Sequence, residues 1–250
     1  MSNNTYKVSV QLKDVYKQVN INDASPTVFV CYAGTPVLAT ITDLDGNALT
    51  SPFQPSNNSV LTNSLIEFLY SISASGGETG LDIYGITAKG HWFEYLGITP
   101  SNPSGPNEIN IDTSIKQWRM KIPFAIANGA VAATEFSCGI KLPASAMILD
   151  RLHGCGLLMT TIQSGKTITA GILSTDTGGA AAGFINGSSL APTAPALLVT
   201  GTNGSLFSTN APYNTDSETG SAANGLDVSY TLSSGTTTAQ GFILLPYMLP

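Results

Sequence analysis

The chain of 250 residues is short of charge: Asp, Glu, Lys and Arg together make only 10 % of it. A typical soluble domain carries about a quarter. Helical bundles and coiled coils are rich in Glu, Lys and Arg, so the composition argues against both. It also argues against disorder, which pairs low hydrophobicity with high charge; here 42 % of residues are hydrophobic. Basic residues are the scarcest class, ten Lys and Arg in all, with only Lys166 after Arg151. Phosphate backbones are bound by clustered Lys and Arg, and an electrostatic membrane anchor needs the same cluster. With a net charge of −6, neither nucleic acid nor a membrane is an expected partner.

Cysteine is nearly absent. Cys31, Cys138 and Cys155 are an odd, small set and no disulfide framework. Cys31 lies in the apolar run Val28-Phe29-Val30-Cys31-Tyr32, which reads as a buried free thiol made in a reducing cytoplasm. No apolar run approaches the roughly 18 residues of a membrane helix. Met1-Ser2-Asn3-Asn4-Thr5 shows no basic stretch leading into an apolar one, so no secretory signal is expected.

What is abundant is Ser and Thr, 54 residues, arranged around short apolar alternations. Tyr6, Val8, Val10 and Leu12 alternate with polar neighbours, as do Ile66, Phe68, Tyr70 and Ile72. A period of two marks a half-buried strand. Asp45-Gly46 between Val37–Thr42 and the following residues signals a tight hairpin turn. This density of short strands predicts an all-β fold with a β-sandwich in the first half. Thr99 to Asn107 holds three prolines and a glycine, which cannot continue a ladder. It places a Pro-rich linker at the end of a first domain, residues 1–113. A second domain, residues 114–250, then reads as a jelly-roll-like sandwich. Its strands are expected at Phe136–Leu142, Ala146–Leu152, Gly156–Ile162, Thr167–Leu173, Leu197–Thr200, Gly225–Leu232 and Gln240–Tyr247. Gly178–Gly187 is too rich in Gly and Ala for a plain strand and reads as an ordered loop. Gly201–Asn224 reads as a functional loop or arm. The apolar end Gly241–Pro250 predicts burial in a core strand or at a subunit interface.

Several constellations invite chemistry. Asp150, His153 and Cys155 stand within six residues, but a closed zinc site needs four ligands and a nucleophilic triad draws on separate elements. A strand end with a satisfied histidine before a Gly turn is the preferred reading. His91, Trp92, Phe93 and Tyr95 suggest a sugar-stacking platform, set against core aromatics at a sandwich edge. Asp43-x-Asp45-Gly46-Asn47 resembles the opening of a calcium loop, but Gln54 stands where the bidentate Glu belongs, so a hairpin turn is preferred. Gly165-Lys166-Thr167 lacks the earlier glycine of a phosphate-binding loop. Asp176, Asp216, Glu218 and Asp227 are the only acids after Arg151 and sit in turn-like contexts; a glycosidase would need two carboxylates about 5–10 Å apart. No catalytic, cofactor-binding or metal residue is assigned, and no enzyme activity is expected.

Two stretches carry a family resemblance. Ala39-Thr40-Ile41-Thr42-Asp43-Leu44-Asp45-Gly46-Asn47-Ala48-Leu49, with Leu81-Asp82-Ile83-Tyr84-Gly85 after it, resembles the hairpin and strand of the small β domain in tailed-bacteriophage virion proteins. Ile168–Asp176 followed by Gly183-Phe184-Ile185-Asn186-Gly187-Ser188-Ser189-Leu190 resembles a second pattern of such proteins, a Gly-Leu-Leu-Ser strand end before a Gly-Phe-Leu run. The resemblance implies a head decoration (cement) or minor capsid protein that binds the major capsid protein. It further implies a homotrimer on the capsid surface of the virion, made in the host cytoplasm. No active site comes with it. The alternative is a fibre or spike component binding host-surface glycans, for which Trp92 or Trp118 should line an exposed cleft. Sparse charge also marks the second half as the easier surface to desolvate in self-association.

Overall fold

The computed structural model describes residues 4–17, 21, 26–55, 65–72, 80–99, 107–125, 134–176, 178–191, 198–199, 202–207, 212–215, 226–233 and 239–250. The fold is all-β: among the described residues there are strands and two short 3-10 turns but no α-helix. The chain divides into two compact units, Met1–Ile115 and Lys116–Pro250.

In the first unit the alternation in the sequence becomes one buried face. Strands β1 (Asn4–Asp14), β2 (Thr27–Tyr32), β3 (Ile41–Thr42), β4 (Ala48–Leu49) and β5 (Leu65–Ile72) precede β6 (Leu81–Ile86), β7 (Trp92–Ile98) and β8 (Asn107–Ile111). They form one sheet in the order β4-β3-β5-β1-β8 and another in the order β2-β6-β7. Val8 and Val10 of β1 stand opposite Phe68 and Ile66 of β5, all buried. Rings from both sheets meet: Tyr32 packs edge-on against Tyr70 at 6.5 Å, and Phe53 against Phe68 at 6.3 Å. Every residue of β6 is buried, including Asp82. Asp82 Oδ1 accepts the Gly97 N–H at 2.7 Å and Oδ2 accepts the Gly34 N–H at 2.8 Å. One carboxylate thus pins a turn and a strand irregularity to the centre of the sheet.

The Pro-rich stretch does not end this unit. β8 follows it and adds to β1 in parallel, Leu12 opposite Ile109. Residues 100–106 themselves lie outside the described residues. β8 and β1 are joined at their ends by Asp14, whose carboxylate accepts the Thr113 hydroxyl and the backbone N–H groups of Tyr16 and Lys17.

The second unit contains β9 (Gln117–Ala125), β10 (Glu135–Lys141), β11 (Met147–Ile148), β12 (Gly156–Thr161), β13 (Thr167–Ile172) and β14 (Ala180–Ser189). After these come β15 (Leu198–Val199), β16 (Thr202–Asn203), β17 (Tyr213–Asn214), β18 (Asp227–Leu232) and β19 (Gln240–Met248). All pairings are antiparallel. One sheet runs β10-β18-β13-β14-β16. The other is built on β19, the apolar C-terminal stretch, which has β9 along one edge and β12 then β11 along the other. β15 and β17 extend it beyond β12 and β11. Residues 241–247 of β19 are all buried, as a central strand with both edges occupied requires. The inner faces touch where Phe124 of β9 meets Tyr230 of β18 at 6.1 Å, and where Phe184 of β14 meets Tyr213 of β17 at 6.1 Å.

Three expectations change here. Gly178–Gly187 is not a loop: from Ala180 onward it is the strand β14, paired with β13 through two register shifts. Its small residues are needed because backbones crowd it; a Cβ on Gly171 would lie 1.9 Å from the Ala180 carbonyl oxygen, and one on Gly204 would lie 2.1 Å from that of Gly183. The strand expected over Ala146–Leu152 stops at Ile148, because Asp150 caps a 3-10 turn at Arg151–His153. The described part of Gly201–Asn224 is no arm: β16 pairs with β14, and β17 with β11. Thr215 locks it down, its hydroxyl accepting the Ala146 N–H at 2.9 Å.

Candidate functional site

The sequence constellations resolve one by one into groups engaged with their own backbone. Asp150 is buried, and its Oδ1 accepts the Leu152 N–H at 3.0 Å and lies 2.8 Å from His153 Nδ1. Its Oδ2 is buried with no hydrogen-bond partner among the described residues. The imidazole of His153 points outward, half exposed. Cys155 does not join the pair as a reactive thiol: burial, and then the charge of Asp150, push its pKa up to about 12. A thiol protonated that firmly is a poor nucleophile and a poor ligand at neutral pH. Cys138 is likewise buried and pushed up to about 12, by burial and then by Asp227. Cys31 is buried too. Among the described residues no group of three His, Cys, Asp or Glu side chains converges on one point.

Asp43 makes a turn. Its Oδ1 accepts the backbone N–H groups of Asp45 at 3.0 Å and Asn47 at 2.8 Å, and its Oδ2 accepts the Asn47 amide at 2.9 Å. These bonds, the side-chain one first, hold its carboxyl below the usual range. Gly46, at φ 90°, supplies the left-handed residue that the turn requires. His91 is also buried, closing the β6–β7 turn through Thr87: the His91 N–H donates to the Thr87 hydroxyl at 3.0 Å. Trp92 is only 5 % exposed, and its Nε1 donates to Glu94. Trp118 shares the inner face of β9 with Met120, Ile122 and Phe124. Trp92 forms no open platform, and Trp118 is half-buried.

Acidic side chains gather at one edge of the β10–β18 sheet. Glu135 accepts the hydroxyls of Ser174 and Ser229 and the Ser174 N–H. Burial raises its pKa, and the Ser bonds outweigh that and leave it lowered. The Asp227 N–H donates to Asp176 Oδ2 at 2.8 Å. Burial and the neighbouring Asp176 raise the pKa of Asp227, against the pull of Lys141. These carboxylates bind the sheet to the turn after β13. Asp216 and Glu218 lie outside the described residues. The Gly165-Lys166-Thr167 stretch is the turn between β12 and β13, where the Lys166 carbonyl accepts the Leu190 N–H.

What the molecule does offer is surface. Leu44 projects from the tip of the Asp43 turn, 48 % exposed. Met147 of β11 and Met248 of β19 are cross-strand partners, 41 % and 40 % exposed. The sequence carries a signal for the first, a leucine between two aspartates in a turn. It carries none for the second, because the two methionines come from distant segments. Comparison with known family models, curated proteins and solved structures finds no match.

Proposed function

We propose that this chain is a structural virion protein, most directly a capsid decoration protein of a tailed bacteriophage. It would bind the major capsid protein as a homotrimer on the capsid surface, after synthesis in the host cytoplasm. The observation that carries the reading is strand order in the second unit. Eight of its strands pair as β9-β19-β12-β15 and β10-β18-β13-β14. Counted along the chain these are the first, eighth, third and sixth, and the second, seventh, fourth and fifth. That order supports the reading of a jelly roll, an architecture common in viral capsid and lectin domains. The resemblance of the Asp43 hairpin and of the β13–β14 region to virion proteins favours the capsid use. The role is structural and not catalytic. The alternative, a fibre or spike component that stacks host glycans on aromatic rings, loses support because Trp92 is buried.

Antibody raised against this chain and conjugated to gold, applied to intact particles, tests the reading by electron microscopy. Label over the head supports it, label on fibres or spikes favours the glycan alternative, and unlabelled particles overturn both. A glycan array probed with the purified chain separates the two independently.

A further inference from the structure

We infer that copies of this chain associate head to tail, with Leu44 of one copy's first unit seated on the Met147–Met248 pair of the next copy's second unit. The inference rests on the homotrimer proposed above, because a closed ring of three copies needs two different patches that meet each other. Opposite halves of such a contact can be recognised by shape and by charge, and both are present here.

The donor patch is the β3–β4 turn. Asp43 ties its own turn through the N–H groups of Asp45 and Asn47 and the Asn47 amide, so the tip is held in one shape before any partner arrives. Preorganised tips lose little entropy on docking. Leu44 stands on that tip between two aspartates, and the Asp45 residue is exposed. The receptor patch is on the second unit. Met248 stands opposite Met147 on one side and Gln117 on the other, and Pro246 stands opposite Arg119. Alternation along a strand puts Met147, Met248, Gln117 and Arg119 on the same face. Arg119 is exposed and diagonal to Met248, within the reach of a long side chain. Methionine adapts its shape to an incoming apolar group.

Charge selects between like and unlike pairing. Residues 1–115 hold four Lys and ten Asp or Glu, whereas residues 116–250 hold six Lys or Arg and six Asp or Glu. The whole net charge of −6 therefore rides on the first unit. Two-fold pairing of either patch with itself would set Asp45 against Asp45 or Arg119 against Arg119. Head-to-tail pairing sets Asp45 near Arg119. The first unit thus shares in self-association, which its charge content alone did not suggest.

The test is sedimentation velocity of the full chain at low and high salt. The wild type should associate, and less so at high salt. Asp45→Lys and Arg119→Glu, each alone, should weaken association by about a hundredfold; Leu44→Ser should weaken it without salt dependence. The double variant Asp45→Lys/Arg119→Glu should restore it. If a charge reversal fails to fold by circular dichroism, Asp45→Asn and Arg119→Gln take its place, with a smaller loss expected. A wild type that stays monomeric at the highest soluble concentration overturns the inference. So do single variants that associate like the wild type, or a double variant no better than the singles. The gold-label experiment above is indifferent to these results, so the contact and the virion assignment can fail separately.

Discussion

Replacing Asp82 is the sharpest probe of how the first unit holds together. Its carboxylate is buried at 4 % exposure in the middle strand of the β2-β6-β7 sheet. It accepts three donors: the Gly97 N–H at 2.7 Å, the Gly34 N–H at 2.8 Å and the Tyr84 hydroxyl at 3.3 Å. Hydrogen bonds to a charged group contribute about 1.5–3 kcal/mol each, and a buried donor left unpaired costs a similar amount. The two short bonds to backbone N–H groups dominate; the Tyr84 bond is long. Asp82→Ala is therefore expected to cost about 3–5 kcal/mol, a large part of a typical domain's stability. Asp82→Asn keeps one acceptor oxygen but turns an NH2 toward the other N–H, so about 2–3 kcal/mol is expected. Each unit holds one tryptophan, Trp92 in the first and Trp118 in the second. Urea unfolding followed by Trp92 fluorescence in a Trp118→Phe background reads the first unit alone. A loss below about 1 kcal/mol for Asp82→Ala would refute the account and place the stability of this sheet in its apolar packing alone.

Acid should remove a stabilising contribution from Asp14 only at low pH. The Thr113 hydroxyl, then the Lys17 N–H, lower its pKa to about 2. A carboxyl whose pKa is depressed in the folded state adds stability above its unfolded value, about 3.9, and loses it as pH falls through about 2. Between pH 4 and pH 2 the wild type should lose stability in urea titrations more steeply than Asp14→Asn. In the second unit, Gly171→Ala should lower the thermal midpoint by well over 5 °C or prevent folding, because the added Cβ meets a carbonyl oxygen at 1.9 Å. Gly165→Ala, in an open turn with φ 71° and nothing within 4 Å, should cost only about 1 kcal/mol by comparison. Cys138 and Cys155, held at about 12 by burial, should react with Ellman's reagent at pH 8 only on unfolding. Rapid modification of either in the native chain would contradict their burial.

How much of this could be read from the sequence depended on how local the cause was. Val8, Val10 and Leu12, with Ile66 and Phe68, alternate in the sequence and share one core, because a period of two needs only neighbouring residues to be expressed. The Asp43 turn is local in the same sense, since every bond that Asp43 makes in it stays within 43–47. The apolar terminus likewise becomes the buried β19. β14 was hidden because Gly and Ala carry no strand signal. Its pairing depends on Gly171 allowing the backbone of Ala180 close, and on Gly204 packing against Gly183, contacts between distant segments. The Met147–Met248 pair was hidden for the same reason: each is unremarkable until β11 and β19 are laid side by side.

The scarcity of charge acquires a structural sense once the acids are placed. Among the described residues Asp14, Asp82 and Asp150 are buried, and each accepts at least one backbone N–H. They serve as connectors where irregular backbone must be tied to a sheet. Asp82 does this for a turn and for Gly97, Asp14 for the end of β1, and Asp150 for the turn that ends β11. A Ser- and Thr-rich chain with few surface ions loses little hydration when it meets a partner, because ionised groups carry the heaviest desolvation cost. Such a surface gives little long-range steering. A few placed charges then decide which faces meet, so an exposed Asp45 or Arg119 counts for more here than it would on an ordinary charged surface.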